Sequence, residues 1–175
     1  MYMHVTGIFK LLAGLFLGVN ALTQILRNET WWFIQNINLV FHEAGHLIFS
    51  VLGDFMSLIG GGLLEILIPV IVTFHFVLQR HWFSAAFGSW CLSTAFLCDS
   101  IYASDAQERL LPLLGGEAVL HDWYHILSRV GLLEYDDLIG YIFRLAGLAC
   151  VALLIFLLSK DKDVKNVFKA HLDTK

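Results

Sequence analysis

Within the apolar stretch FHEAGHLIF, residues 41–49, two histidines and a glutamate fall inside five residues: His42, Glu43 and His46. On a helix of 3.6 residues per turn, His42 and His46 stand one turn apart on one face, so both imidazoles can converge on a single ion. Glu43 projects about 100° away from His42, beside such an ion rather than on it. This is the H-E-x-x-H arrangement of hydrolytic zinc chemistry, in which the metal lowers the pKa of a water and the glutamate takes its proton. A charged residue at the middle of a membrane helix costs on the order of 3 kcal/mol on insertion scales, so three such groups in one apolar run demand compensating partners.

A catalytic zinc takes three protein ligands and keeps a fourth position for water. The sequence HDWYH, residues 121–125, repeats the four-residue histidine spacing and sets Asp122 next to His121. His121 and Asp122 are the leading candidates for the third metal ligand, with Asp105, Asp99 and His125 behind them. HDWYH also reads as the start of an interfacial helix, with Asp122 capping it and Trp123 and Tyr124 at headgroup level. Glu65, in the run that follows the glycines at 60–62, is either a functional acid or half of an ion pair. The glycines suit close helix packing first, and second an irregular turn along which an extended substrate would lie. Cys91, Cys98 and Cys150 are odd in number, lack C-x-x-C spacing and read as small buried hydrophobes.

The elements that must position these groups are membrane helices. Of the 175 residues, 58% are hydrophobic and 15% charged, against about 25% charged in soluble domains. Five apolar runs, at 5–26, 31–53, 57–79, 82–103 and 138–159, approach the roughly 20 residues that cross a bilayer. The breaks RNET, GDFM and QRHW are short, which predicts antiparallel neighbours. Gln35, Asn36, His42, Glu43, His46, Ser50, Gly53 and Asp54 share one face of the second run, and a polar stripe in lipid must face protein or a water-filled cavity. The expected fold class is all-α, a polytopic membrane helix bundle of about five transmembrane helices plus a short amphipathic helix near 120–131. Residues 1–159 form one integral membrane domain and 160–175 a charged cytosolic tail. Lys160, Lys162, Lys165 and Lys169 place the C-terminus inside, and counting back puts Arg80 and Arg27 inside and the 104–137 segment outside. A net charge of -4 and a pI near 6 provide no basic surface for nucleic acid.

The stretch FHEAGHLIFSVLG, set in a hydrophobic run, resembles the site-2 protease class of intramembrane zinc metallopeptidases. The resemblance implies one zinc ion held by two histidines and a later aspartate, with His42 and His46 as ligands and Glu43 activating water for peptide hydrolysis within or near the bilayer. The family aspartate sits in an Asn-Pro-x-x-x-x-Asp-Gly-like motif; LLPLLGGE keeps its Pro and Gly-Gly outline, with Leu114 before Gly115. The chain also resembles a set of small bacterial membrane proteins that share H-E-x-G-H, L-P-L-x-G-G and H-D-W.

These readings lead to a zinc-dependent membrane endopeptidase acting on a membrane or membrane-proximal polypeptide, in a bacterial inner membrane with the C-terminus cytoplasmic. Two other classes share the residues. One is a non-catalytic metal-binding protein, whether sensor, transporter or scaffold. The other is a di-iron membrane oxidase, which needs clustered histidines with an H-x-x-H-H box, whereas the 8 histidines here are scattered.

Overall fold

The computed structural model describes residues 2–112 and 120–172, and these form helices and turns without a strand. In chain order the helices are α1 (Tyr2–Arg27), α2 (Trp32–Phe49), α3 (Asp54–Leu78), α4 (Trp82–Ser104), α5 (Asp122–Val130), α6 (Asp136–Lys160) and α7 (Lys162–Leu172). Short 3-10 turns at Ser50–Leu52 and Leu133–Tyr135 precede α3 and α6. Three segments, Val5–Arg27, Asp54–Leu78 and Leu133–Lys160, are long and apolar enough to cross a membrane.

The runs that became α2 and α4 are less apolar for a structural reason. α4 lies at the centre, with Ala85, Ser89, Ser93, Ala95, Asp99 and Ser100 all buried, and an enclosed helix faces protein rather than lipid. Its serines tie it to antiparallel α6: Ser89, Ser93 and Ser100 donate to the carbonyls of Cys150, Gly147 and Gly140 at 2.8, 2.9 and 2.7 Å. Small residues permit this approach, and each such bond contributes about 0.6 kcal/mol in membrane bundles.

Packing contacts set the register of the remaining helices. Gly88 of α4 meets Thr73 of α3, and Asp99 meets Gly62, so α3 and α4 are antiparallel. Gly45 of α2 meets Gly60 of α3. α1 runs antiparallel to α6: Lys10 pairs with Asp161 at 3.1 Å, Gly14 meets Leu158, Gly18 meets Leu154, and Arg144 donates to the Asn28 side chain. The turn after α1 therefore sits at the level of Arg144, sixteen residues or roughly 24 Å of helix from Lys160.

This register corrects one expectation. The RNET break does not fold the first two runs back on one another, and Arg27 does not share an end with Arg80 and the C-terminal lysines. α1 and α2 run in the same sense, α1 against α4, α6 and α7, α2 against α3 and α4. The turn after α1 satisfies its own backbone: Trp31 N–H donates to Gln24 Oε1 at 2.6 Å and Glu29 N–H to the Gln24 carbonyl at 3.1 Å.

Two further points concern the ends of elements. Part of the charged tail is a helix, α7, which buries Val164 and packs on α1 through Lys10 and Asp163, 2.6 Å apart. The amphipathic helix expected near 120–131 is α5, closed by Gly131 at φ 70°, the left-handed cap that glycine adopts without strain. The Leu-Leu-Gly-Gly stretch containing Leu114 lies outside the described residues.

Candidate metal centre

α2 delivers His42 and His46 to a site that α3 closes from one side. A Cβ on Gly45 would come within 2.6 Å of the Gly60 carbonyl carbon, and one on Gly61 within 2.6 Å of His42 Nε2. Glycines at 45, 60 and 61 thus let the two helices touch and leave room for an imidazole. The triplet at 60–62 is helical, which removes the alternative of an irregular turn for an extended substrate.

The imidazole hydrogen bonds define what the ring nitrogens can do. His46 Nδ1 lies 2.8 Å from the Ser57 carbonyl, which only accepts, so Nδ1 carries the hydrogen. His42 Nδ1 lies 3.4 Å from Glu65 Oε2. Both Nε2 atoms then face one carboxylate oxygen: Asp122 Oδ2 is 3.1 Å from His42 Nε2 and 3.2 Å from His46 Nε2. Two nitrogen lone pairs and a carboxylate repel unless a cation, or a proton on each nitrogen, lies between them. With protons there, burial raises the Asp122 carboxyl but the hydrogen bonds from His42 and His46 outweigh it and hold the group down at about 2.

The same distances test the fit of a metal. Donors on neighbouring corners of a tetrahedron at 2.0–2.1 Å from zinc stand about 3.3–3.4 Å apart, within roughly 0.3 Å of the separations found. Among the described residues, His42, His46 and Asp122 are the one group of three such donors whose ligand atoms all lie within 4.8 Å of one another. The three side chains could therefore hold a metal ion.

Asp122 reaches this position because α5 starts beside α4. Its backbone N–H donates to the Tyr102 hydroxyl at 3.0 Å, and that hydroxyl lies 3.4 Å from Asp122 Oδ2. Trp123 Nε1 donates to Asp99 Oδ1 at 3.3 Å, a second tie between α5 and α4. Asp122 is not the helix cap that one reading of HDWYH assigned to it. The cap is His121, whose Nδ1 accepts from Tyr124 N–H at 3.2 Å while Nε2 lies 3.2 Å from Asp105 Oδ2. Both nitrogens of His121 are therefore engaged away from His42 and His46, and burial lowers its pKa, keeping the ring neutral.

The other candidates have separate places. Asp105 accepts from the backbone of Leu110 and Leu111 at 2.8 and 3.0 Å and so braces the chain after α4. His125 packs edge-on against Tyr124. Asp99 is buried, lines the same cavity as His42 and Asp122, and its Oδ2 has no hydrogen-bond partner among the described residues. The polar stripe ends earlier than its periodicity suggested. α2 stops at Phe49, Gly53 turns the chain at φ 103°, and Ser50 and Asp54 are exposed.

Glu43 is exposed and lines a cavity of about 620 Å³ together with Thr30, Gln35, Asn36, His42, His46 and Asp122. Among the described residues its carboxylate has no hydrogen bond or ion pair. Residues that sequence reasoning passed over are Tyr102 and Ser57, and Cys98 was read only as a buried hydrophobe. Tyr102 has no motif around it, Ser57 contributes a backbone carbonyl that no side-chain pattern encodes, and Cys98 lines the cavity while accepting from Asn38 at 3.4 Å. No protein-family model, curated protein or solved structure matches this chain.

Proposed function

We propose that this chain is a zinc-dependent membrane endopeptidase of the site-2 protease type, with His42, His46 and Asp122 as the ligands and Glu43 as the general base. The observation that carries this reading is the convergence of two Nε2 atoms, their Nδ1 positions already committed to Ser57 and Glu65, on a single oxygen of Asp122. Zinc at such a site acts as a Lewis acid that polarises a carbonyl and lowers the pKa of water.

The chain's own groups supply the rest. Glu43 opens to the cavity without a competing partner, so its carboxylate is available to take the proton of a water and return it to the departing amine. Tyr102 and Trp123 hold the start of α5, and with it the Asp122 carboxylate. Gln35 on the cavity wall carries both a donor and an acceptor, the pattern that an extended peptide backbone satisfies. The substrate class is accordingly a membrane or membrane-proximal polypeptide.

The bilayer placement belongs to the same proposal. α1 and α2 together make one interrupted pass, and α3, α4 and α6 make three more, so the five apolar runs produce four passes. Arg80, Lys160, Lys162 and Lys165 gather at one end and mark it as cytoplasmic, and the bacterial inner membrane is the setting. The metal ligands lie toward the opposite end, near the first turns of α6.

The test is hydrolysis of a transmembrane reporter polypeptide by the purified protein in lipid. Loss of cleavage in Glu43→Gln, with the fold retained, is the expected result; full cleavage by that variant would sink the mechanism.

A further inference from the structure

We infer that Glu65 is a positioning residue of the metal centre: its carboxylate holds His42 Nδ1–H and so fixes the tautomer and the aim of Nε2. The inference rests on the metal reading above and adds a residue to it. Glu65 lies inside the apolar helix α3 and is 4% exposed. A carboxylate inside an apolar helix is costly and needs a reason. Among the described residues, its one ion-pair partner is His42, 3.4 Å from Oε2, and Oε1 has no hydrogen-bond partner. Glu65 sets one oxygen against the His42 ring and leaves the other unmatched.

The geometry of α3 supports the assignment. Gly61 and Glu65 are one helical turn apart on one face. Gly61 provides the notch in which the His42 ring lies, and Glu65 the acceptor at its Nδ1 edge. A histidine that ligates a metal through Nε2 generally donates its Nδ1–H to a carboxylate or carbonyl, and loss of that partner costs 10–100-fold in metal affinity. The two histidines differ in how this is met. His46 uses a backbone carbonyl, that of Ser57, which no substitution removes. His42 depends on a side chain and can be tested alone, with His46 as the internal control.

The experiment compares full-length wild type, Glu65→Gln and Glu65→Leu in lipid, by chelator competition for zinc and by nitrogen NMR of the histidine side chains. Glu65→Leu is expected to bind zinc 10–100-fold more weakly, and Glu65→Gln, which keeps an acceptor oxygen, to lose less. In the metal-free protein the His42 Nδ1–H signal is expected in wild type and Glu65→Gln and lost or rapidly exchanging in Glu65→Leu, with His46 unchanged in all three. Wild-type zinc affinity in Glu65→Leu overturns the inference, as does equal loss in both variants. The metal-free spectra decide it independently: a protected His42 Nδ1–H that persists in Glu65→Leu, or is missing from wild type, also overturns it. Failure of wild type to bind zinc at all contradicts the metal reading and leaves the spectra to decide the hydrogen bond.

Discussion

Gly45 stands between the two histidines of α2, and its replacement by alanine tests how the helix contact supports the metal centre. The new Cβ would collide with the Gly60 carbonyl, nearest its oxygen and 2.6 Å from its carbon, against the roughly 3.5 Å of ordinary carbon contacts. Because the obstacle is backbone, α2 has to withdraw by at least about 0.9 Å. His42 and His46 ride on the same helix, so their Nε2 atoms, now 3.1 and 3.2 Å from Asp122 Oδ2, move toward 4 Å. Metal ligand distances tolerate only about 0.2 Å. Overpacking of this kind costs typically 1–3 kcal/mol, which corresponds to roughly 5–150-fold if it is expressed in zinc affinity. The assay is zinc competition on Gly45→Ala beside Gly18→Ala, where the new Cβ would meet only Leu158's neighbour Leu154, at 3.8 Å, and should change nothing. Wild-type affinity and stability in Gly45→Ala would refute the argument that this contact sets the spacing of the ligands.

Other expectations follow from particular contacts. His121→Ala removes the cap of α5 and should cost about 1 kcal/mol of stability while zinc still binds one per chain, measured by unfolding in lipid and by metal content. Ser93→Ala deletes a buried hydroxyl bond to Gly147 and should lower bundle stability by about 0.6 kcal/mol, read in the same unfolding assay. Lys10→Ala releases Asp161 and Asp163, so limited proteolysis should cut α7 sooner than in wild type. On a background without native cysteines, Gln79→Cys should label from the face that carries the C-terminus and Glu29→Cys should not; equal labelling would restore an antiparallel first pair.

The helical class was legible because long apolar runs broken by short polar segments have few alternatives in lipid. His42, Glu43 and His46 were legible because four residues make one helical turn, a purely local relation. The third member of the candidate cluster was not. Asp122 and His121 are adjacent in sequence, and what separates them is that α5 begins between them, leaving His121 as the cap and Asp122 turned toward α2. Glu65 stood out as a charge in an apolar helix, but its link to His42 depends on α2 and α3 meeting at glycines. The sense of α1 was misread for a related reason: short breaks usually reverse the chain, and here Gln24 and Arg144 satisfy a turn partway along the bundle instead.

The central claim is that His42, His46 and Asp122 together hold one zinc ion beside Glu43. Metal content of the purified, zinc-equilibrated protein tests it most directly, in wild type, Asp122→Ala, His121→Ala and Glu43→Gln. The account predicts one zinc per chain in wild type, His121→Ala and Glu43→Gln, and strongly reduced zinc in Asp122→Ala. Full occupancy in Asp122→Ala, or loss of zinc in His121→Ala with the fold intact, would contradict it.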